Sequence, residues 1–139
     1  MSASELRQPL ALLLDIDNTV YPYLPCHRAG MQSAYECSAV FGLWRDQKTF
    51  LDRYANARDT VKGRLGVNAS AHCRLLYFKE MVEGCAGFTD FEQIQHLESA
   101  YWGGFESKLI PDLGCLDFLQ EAAKLGIKLA WISNFTTQR

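Results

Sequence analysis

Two short apolar runs stand at opposite ends of the chain, with a long stretch of helical periodicity between them. Leu10 to Leu14 is a continuous apolar run that ends at Asp15. The Asp-Asn-Thr cluster and Pro22 that follow read as the loop after a buried strand. Residues 28–40 have weak helical spacing, with Met31, Tyr35 and Ala39 four apart. Phe50, Tyr54, Ala57, Val61 and Leu65 form one face of a stronger helix, which Gly66 stops. Asn68 or Ser70 caps another helix, carrying Ala71, Leu75, Phe78 and Val82 and ending at Gly84. Asp90 caps a third, with Phe91, Ile94, Leu97, Tyr101 and Phe105 facing inward. Pro111-Asp112 opens a helix with Leu116, Leu119 and Ala123 that closes at Gly126. Lys128 to Ile132 is the second buried strand, ending in Ser133-Asn134-Phe135-Thr136-Thr137.

The order predicts an α/β fold in which two strands form a parallel pair with a right-handed crossover. The helical stretch is too long for a crossover alone and reads as an inserted subdomain. The divisions fall at 1–22, 23–108 and 109–139.

Composition narrows the class. The chain has 139 residues, the size of one ordinary domain, with 48% hydrophobic residues and a net charge of -2. That excludes a disordered, collagen-like or coiled-coil chain. No apolar run reaches the roughly 18 residues of a membrane span, and no signal peptide is read at the N-terminus. A cytoplasmic protein without a membrane partner is expected. Cys26, Cys37, Cys73, Cys85 and Cys115 form no C-x-x-C pair, so free thiols are expected rather than a zinc or redox site. His27, His72 and His96 lack metal-ligand spacing, and Trp44, Trp102 and Trp131 read as core residues. Residues 43–79 are net basic and residues 80–121 net acidic. The basic face would attract an anionic ligand, or the two are simply solvated helix surfaces of opposite sign. No basic cluster is dense enough for a nucleic-acid partner.

Asp15-Ile16-Asp17-Asn18-Thr19 carries the chemistry. In extended backbone, positions i and i+2 point the same way, which puts both carboxylates at the carboxyl edge of the sheet. Open α/β sheets bind ligands at that edge. Paired carboxylates can share one divalent cation, and oxygen donors suit magnesium. They can also divide labour, one attacking as a nucleophile while the other carries a proton. The competing reading is a pair of solvated carboxylates in a turn. Ser133-Asn134, ending the other strand, offers a hydroxyl, an amide and free N–H groups to an anion. On a neighbouring parallel strand the pair becomes a phosphate cradle. Arg74 and Lys79, on or near one helix of the insertion, are candidate contacts for an anionic substrate group, or members of a solvated face.

Leu-Leu-Leu-Asp15-Ile-Asp17-Asn-Thr19-Val-Tyr-Pro resembles the first motif of the haloacid dehalogenase-like hydrolases, and more loosely their nucleotidase-like branch. Ala130-Trp131-Ile132-Ser133-Asn134 is similar to their second motif. The long interval between them fits members with a helical cap inserted there. The resemblance implies a partial Rossmann-like core at 1–22 and 109–139, a cap at 23–108, and a magnesium-dependent phosphohydrolase acting on a small phosphorylated metabolite. It implies that Asp15 attacks phosphorus to form an aspartyl-phosphate, and that Asp17 protonates the leaving group and then activates water. Magnesium is implied at the Asp15 carboxylate and the Asp17 carbonyl, with Ser133 and Asn134 on the phosphoryl oxygens. The carboxylate of Asp17 also argues against a dehalogenase. The family's third motif, a lysine, and its fourth, acidic residues of the metal site, fall after the second motif. Lys124 and Lys128 precede Ser133 and do not substitute. A fragment is therefore the expectation, and a non-catalytic module that binds metal, phosphate or a partner protein is the alternative. A phosphomutase is a third, weaker option.

Overall fold

The computed structural model describes residues 9–133. In chain order it contains β1 (Ala11–Asp15), α1 (Tyr23–Val40), α2 (Gln47–Leu65), a 3-10 turn (Ala69–His72), α3 (Arg74–Ala86), α4 (Phe91–Glu106), α5 (Cys115–Lys124) and β2 (Lys128–Ile132). The class is α/β and mostly helical. The strands pair in parallel, with Ala11 opposite Lys128 and Asp15 opposite Ile132. The described residues divide into two units, 9–23 with Ile110–Ser133 and, separately, Leu24–Leu109.

In the helical unit, α1 begins earlier than its weak spacing suggests. Pro25 lies in its first turn, where a missing N–H removes no intrahelical bond. Asp46 caps α2 by accepting from Thr49 N at 2.8 Å, and Phe50, Tyr54, Ala57 and Val61 are buried as their spacing predicts. Asn68 caps the 3-10 turn rather than α3, which starts at Arg74. α3 also runs through Gly84, whose position is open, and stops at Gly87, the residue that takes the left-handed conformation (φ 75°) and donates to Glu83 O. Asp90 caps α4 through Gln93 N at 3.0 Å. Ile94, Leu97, Tyr101 and Phe105 point inward, whereas Phe91 is exposed in the first turn, off that stripe.

The core is aromatic. Tyr54, Tyr77, Phe78 and Tyr101 meet ring to ring at centroid distances of 5.7–6.1 Å. Close approach of α1 and α4 depends on two glycines. A Cβ on Gly30 would lie 2.8 Å from Tyr101 O, and one on Gly104 would lie 2.6 Å from Ala29 O. The two ends of the unit are tied where the Cys26 thiol donates to Lys108 O at 3.2 Å.

The small unit departs more from expectation. Neither strand is buried. β1 alternates exposed and half-buried positions, and Trp131 in β2 is 49% exposed. The cause is a missing layer: α5 is the one helix of this unit and packs on β2, so no element of the unit covers a second face among the described residues. α5 starts at Cys115 instead of Pro111-Asp112, because Asp112 forms a turn, its carbonyl accepting from Cys115 N at 3.0 Å. Ala122 is buried in place of Ala123, and Leu116 is exposed. Trp44 is buried and Trp102 half-buried, and no disulfide joins any of the five cysteines. Among the described residues, no helix is long and apolar enough to cross a membrane.

Candidate active site

The parallel register decides what meets at the carboxyl edge of the sheet. Asp15 ends β1 opposite Ile132, and Ser133 is the next residue after Ile132. The first acidic residue and the serine therefore lie at the same edge on neighbouring strands. Asp15, Asp17 and Ser133 are all exposed. Asn134 lies outside the described residues.

After Asp15 the chain folds into a tight, heavily bonded loop. Thr19 N and Val20 N both donate to Ile16 O, at 3.2 and 3.0 Å. Asn18 takes a left-handed conformation (φ 58°), tolerated by asparagine better than by most residues. That reversal lets Asn18 N donate to Tyr21 O at 3.0 Å and lines Asp17 up with Tyr21 as a parallel bridge. The Asn18 side chain then accepts from Tyr23 N at 3.1 Å, at the start of α1. Asp112 N donates to Val20 O at 2.8 Å and ties the loop to the segment before α5.

Within this frame the two carboxylates are held differently. Among the described residues, Asp15 Oδ1 accepts only a local bond, from Ile16 N at 2.9 Å. Asp17 Oδ1 accepts from the hydroxyl of Tyr21 at 2.5 Å, and the Tyr21 ring is buried. Neither the spacing nor the periodicity of the sequence points to Tyr21; the one signal is Asn18, a residue type suited to reversing the chain. A cavity of about 270 Å³ beside the loop is lined mostly by apolar groups, among them Leu14, Val20, Leu113 and Phe118. Among the described residues, no group of three or more His, Cys, Asp or Glu side chains is arranged to hold a metal ion.

Arg74 and Lys79 are not brought together. Five residues apart on α3, they point about 140° from each other. Lys79 is exposed and pairs with Glu83 at 2.7 Å. Arg74 is half-buried over the rings of Tyr77 and Tyr101, at 5.4 and 5.6 Å from their centroids. Its Nη1 donates to His72 O at 2.9 Å, and its Nε lies 3.4 Å from the Tyr101 hydroxyl. His27 Nδ1 shares a 2.8 Å hydrogen bond with that same hydroxyl. Burial, then the charges of Arg74 and Arg58, lower the His27 pKa to about 4. The helical unit thus holds a positive, aromatic-walled cluster around a neutral imidazole.

Comparison with known proteins adds one match. The chain is similar to a ribulose-1,5-bisphosphate 5-phosphatase of Halopiger xanaduensis. They are 36% identical over 129 residues, which is 91% of this chain and 53% of that protein. The chain thus spans about half the length of the curated relative it matches. No family model matches the chain, and no solved structure does.

Proposed function

We propose that the chain belongs to a magnesium-dependent phosphohydrolase of the haloacid dehalogenase type. Its substrate is a small phosphorylated metabolite of the sugar-phosphate class, the class named for the Halopiger relative. The observation that carries the proposal is the register of β1 and β2, which gives Asp15 and Ser133 one shared sheet edge.

The chemistry follows from the two carboxylates. Asp15, exposed and bonded to its neighbouring N–H, attacks phosphorus. The P–O bond to the leaving group breaks as the Asp15 oxygen bonds to phosphorus. The leaving oxygen takes a proton from Asp17. Asp17, now a carboxylate, removes a proton from water as the water oxygen attacks the aspartyl-phosphate, and the nucleophile is regenerated. Ser133 and Asn134 bind phosphoryl oxygens. The donors fit magnesium, which is commonly held by one or two carboxylates and keeps several waters. The Asp15 carboxylate and Asp17 carbonyl would hold it, and when bound it neutralises phosphoryl charge. The Leu24–Leu109 unit takes the part of the cap, and Arg74 is its candidate contact to an anionic substrate group.

The test is release of phosphate from ribulose-1,5-bisphosphate and from p-nitrophenyl phosphate, with and without magnesium. Release that needs magnesium and falls at least about a thousandfold in Asp15→Asn is the expected result. Release unchanged by that substitution overturns the mechanism.

A further inference from the structure

We propose that Tyr21 is a positioning residue for Asp17, fixing which carboxylate oxygen carries the transferred proton. The inference rests on the acid–base role given to Asp17 above and deepens it. The Tyr21 hydroxyl donates to Asp17 Oδ1 at 2.5 Å, a short hydrogen bond. Because Oδ1 is engaged, Oδ2 is the oxygen that binds and releases the proton. The phenol itself is well anchored. Its ring is buried, its backbone carbonyl accepts from Asn18 N at 3.0 Å, and the Asp17–Tyr21 bridge fixes the spacing of the two residues.

An exposed aspartate on a loop samples several χ1 and χ2 states, and only some present an oxygen to the leaving group. A hydroxyl fixed by a buried ring removes most of that freedom before substrate arrives. The gain appears where proton donation limits the rate, which is with poor leaving groups such as a sugar alkoxide. A p-nitrophenolate leaves without a proton and barely senses it.

The experiment compares Tyr21→Phe with Asp17→Asn on two substrates. Phenylalanine keeps the ring and removes only the hydroxyl. Tyr21→Phe is expected to lower kcat for ribulose-1,5-bisphosphate by about tenfold to a hundredfold, with KM little changed. The loss on p-nitrophenyl phosphate is expected to stay within about threefold. Equal losses on both substrates, or none on the sugar phosphate, overturn the proposal. Asp17→Asn separates the two levels of the argument. If it shows no leaving-group selectivity, the acid–base role itself falls. If it does and Tyr21→Phe does not, only the positioning role falls. A second readout needs no turnover: the side-chain carboxyl carbon resonance of Asp17 shifts in Tyr21→Phe while that of Asp15 stays in place. An unmoved Asp17 resonance also overturns the proposal.

Discussion

Alanine at Gly104 tests how closely α1 and α4 must approach. The added Cβ would lie 2.6 Å from Ala29 O and 2.8 Å from Ser33 Cβ. Ordinary contact begins at 3.4 Å, so the helices must part by roughly 0.8 Å, and overpacking of this kind costs about 1–3 kcal/mol. The obstructing oxygen belongs to the backbone and has no rotamer to escape into. Alanine also gains helix propensity over glycine, about 1 kcal/mol. Gly103, one residue earlier in α4, separates the two effects, because a Cβ there meets nothing within 4 Å. Gly103→Ala should therefore stabilise the protein by up to about 1 kcal/mol. The difference between the two variants cancels the propensity gain and leaves the overpacking, about 1–3 kcal/mol. Urea unfolding followed by far-UV circular dichroism measures it. In a thermal melt each kcal/mol corresponds to about 4–8 °C for a unit of this size. Equal stability of the two variants would refute the close-approach argument.

Two further predictions concern the cluster around Tyr101. The His27 pKa falls from 6.5 to about 4 on folding, so the unfolded chain binds a proton that the folded chain refuses. Stability from this group is present in full above pH 6.5 and is lost as pH falls towards 4. His27→Gln should flatten the fall in stability across that window by on the order of 1–2 kcal/mol once solvent screening is discounted, as read from urea midpoints at a series of pH values. An unchanged slope would show that His27 is protonated in the folded protein. If Arg74 contacts an anionic substrate group, Arg74→Gln raises KM for ribulose-1,5-bisphosphate about tenfold or more with kcat nearly constant. Lys79→Gln, which disrupts only an exposed pair with Glu83, should leave both parameters unchanged; the opposite pattern would transfer the contact to Lys79.

Helical spacing carried most of the fold. The buried stripes of α2 and α4 were legible because each repeats over several turns, and Asp90 was legible as a cap because its side chain serves a backbone N–H in the next turn. Helix ends were harder to read. Gly84 and Gly87 look alike in sequence, and only the backbone conformation at Gly87 makes it the stop. Pro111 marked a boundary correctly in kind but too early, since Asp112 and Cys115 use their backbone groups in a turn first. Strand burial was misjudged because an apolar run reports affinity for a covering layer, whether or not the unit supplies one. At the candidate site, the meeting of Asp15 with Ser133 followed from two strand ends. The bond from Tyr21 to Asp17 was not legible, because it depends on one left-handed residue, Asn18, and not on any period.

The thiol-to-carbonyl tie between Cys26 and Lys108 bears on the order in which the chain folds. β1 and β2 are partners separated by almost the whole sequence, a contact of high order that forms slowly from an open coil. The helices between them rest on nearer neighbours, α2 on α3 and α3 on α4, and can assemble first. Once they do, the chain leaves that unit close to where it entered. The flexible loop still to be closed for strand pairing then shrinks from over a hundred residues to a few tens, which lowers the entropic cost of closure by about 1 kcal/mol. A helical unit that assembles first would favour pairing of the two strands at whose ends Asp15 and Ser133 stand. Mutations that loosen it should slow formation of that edge without touching either residue.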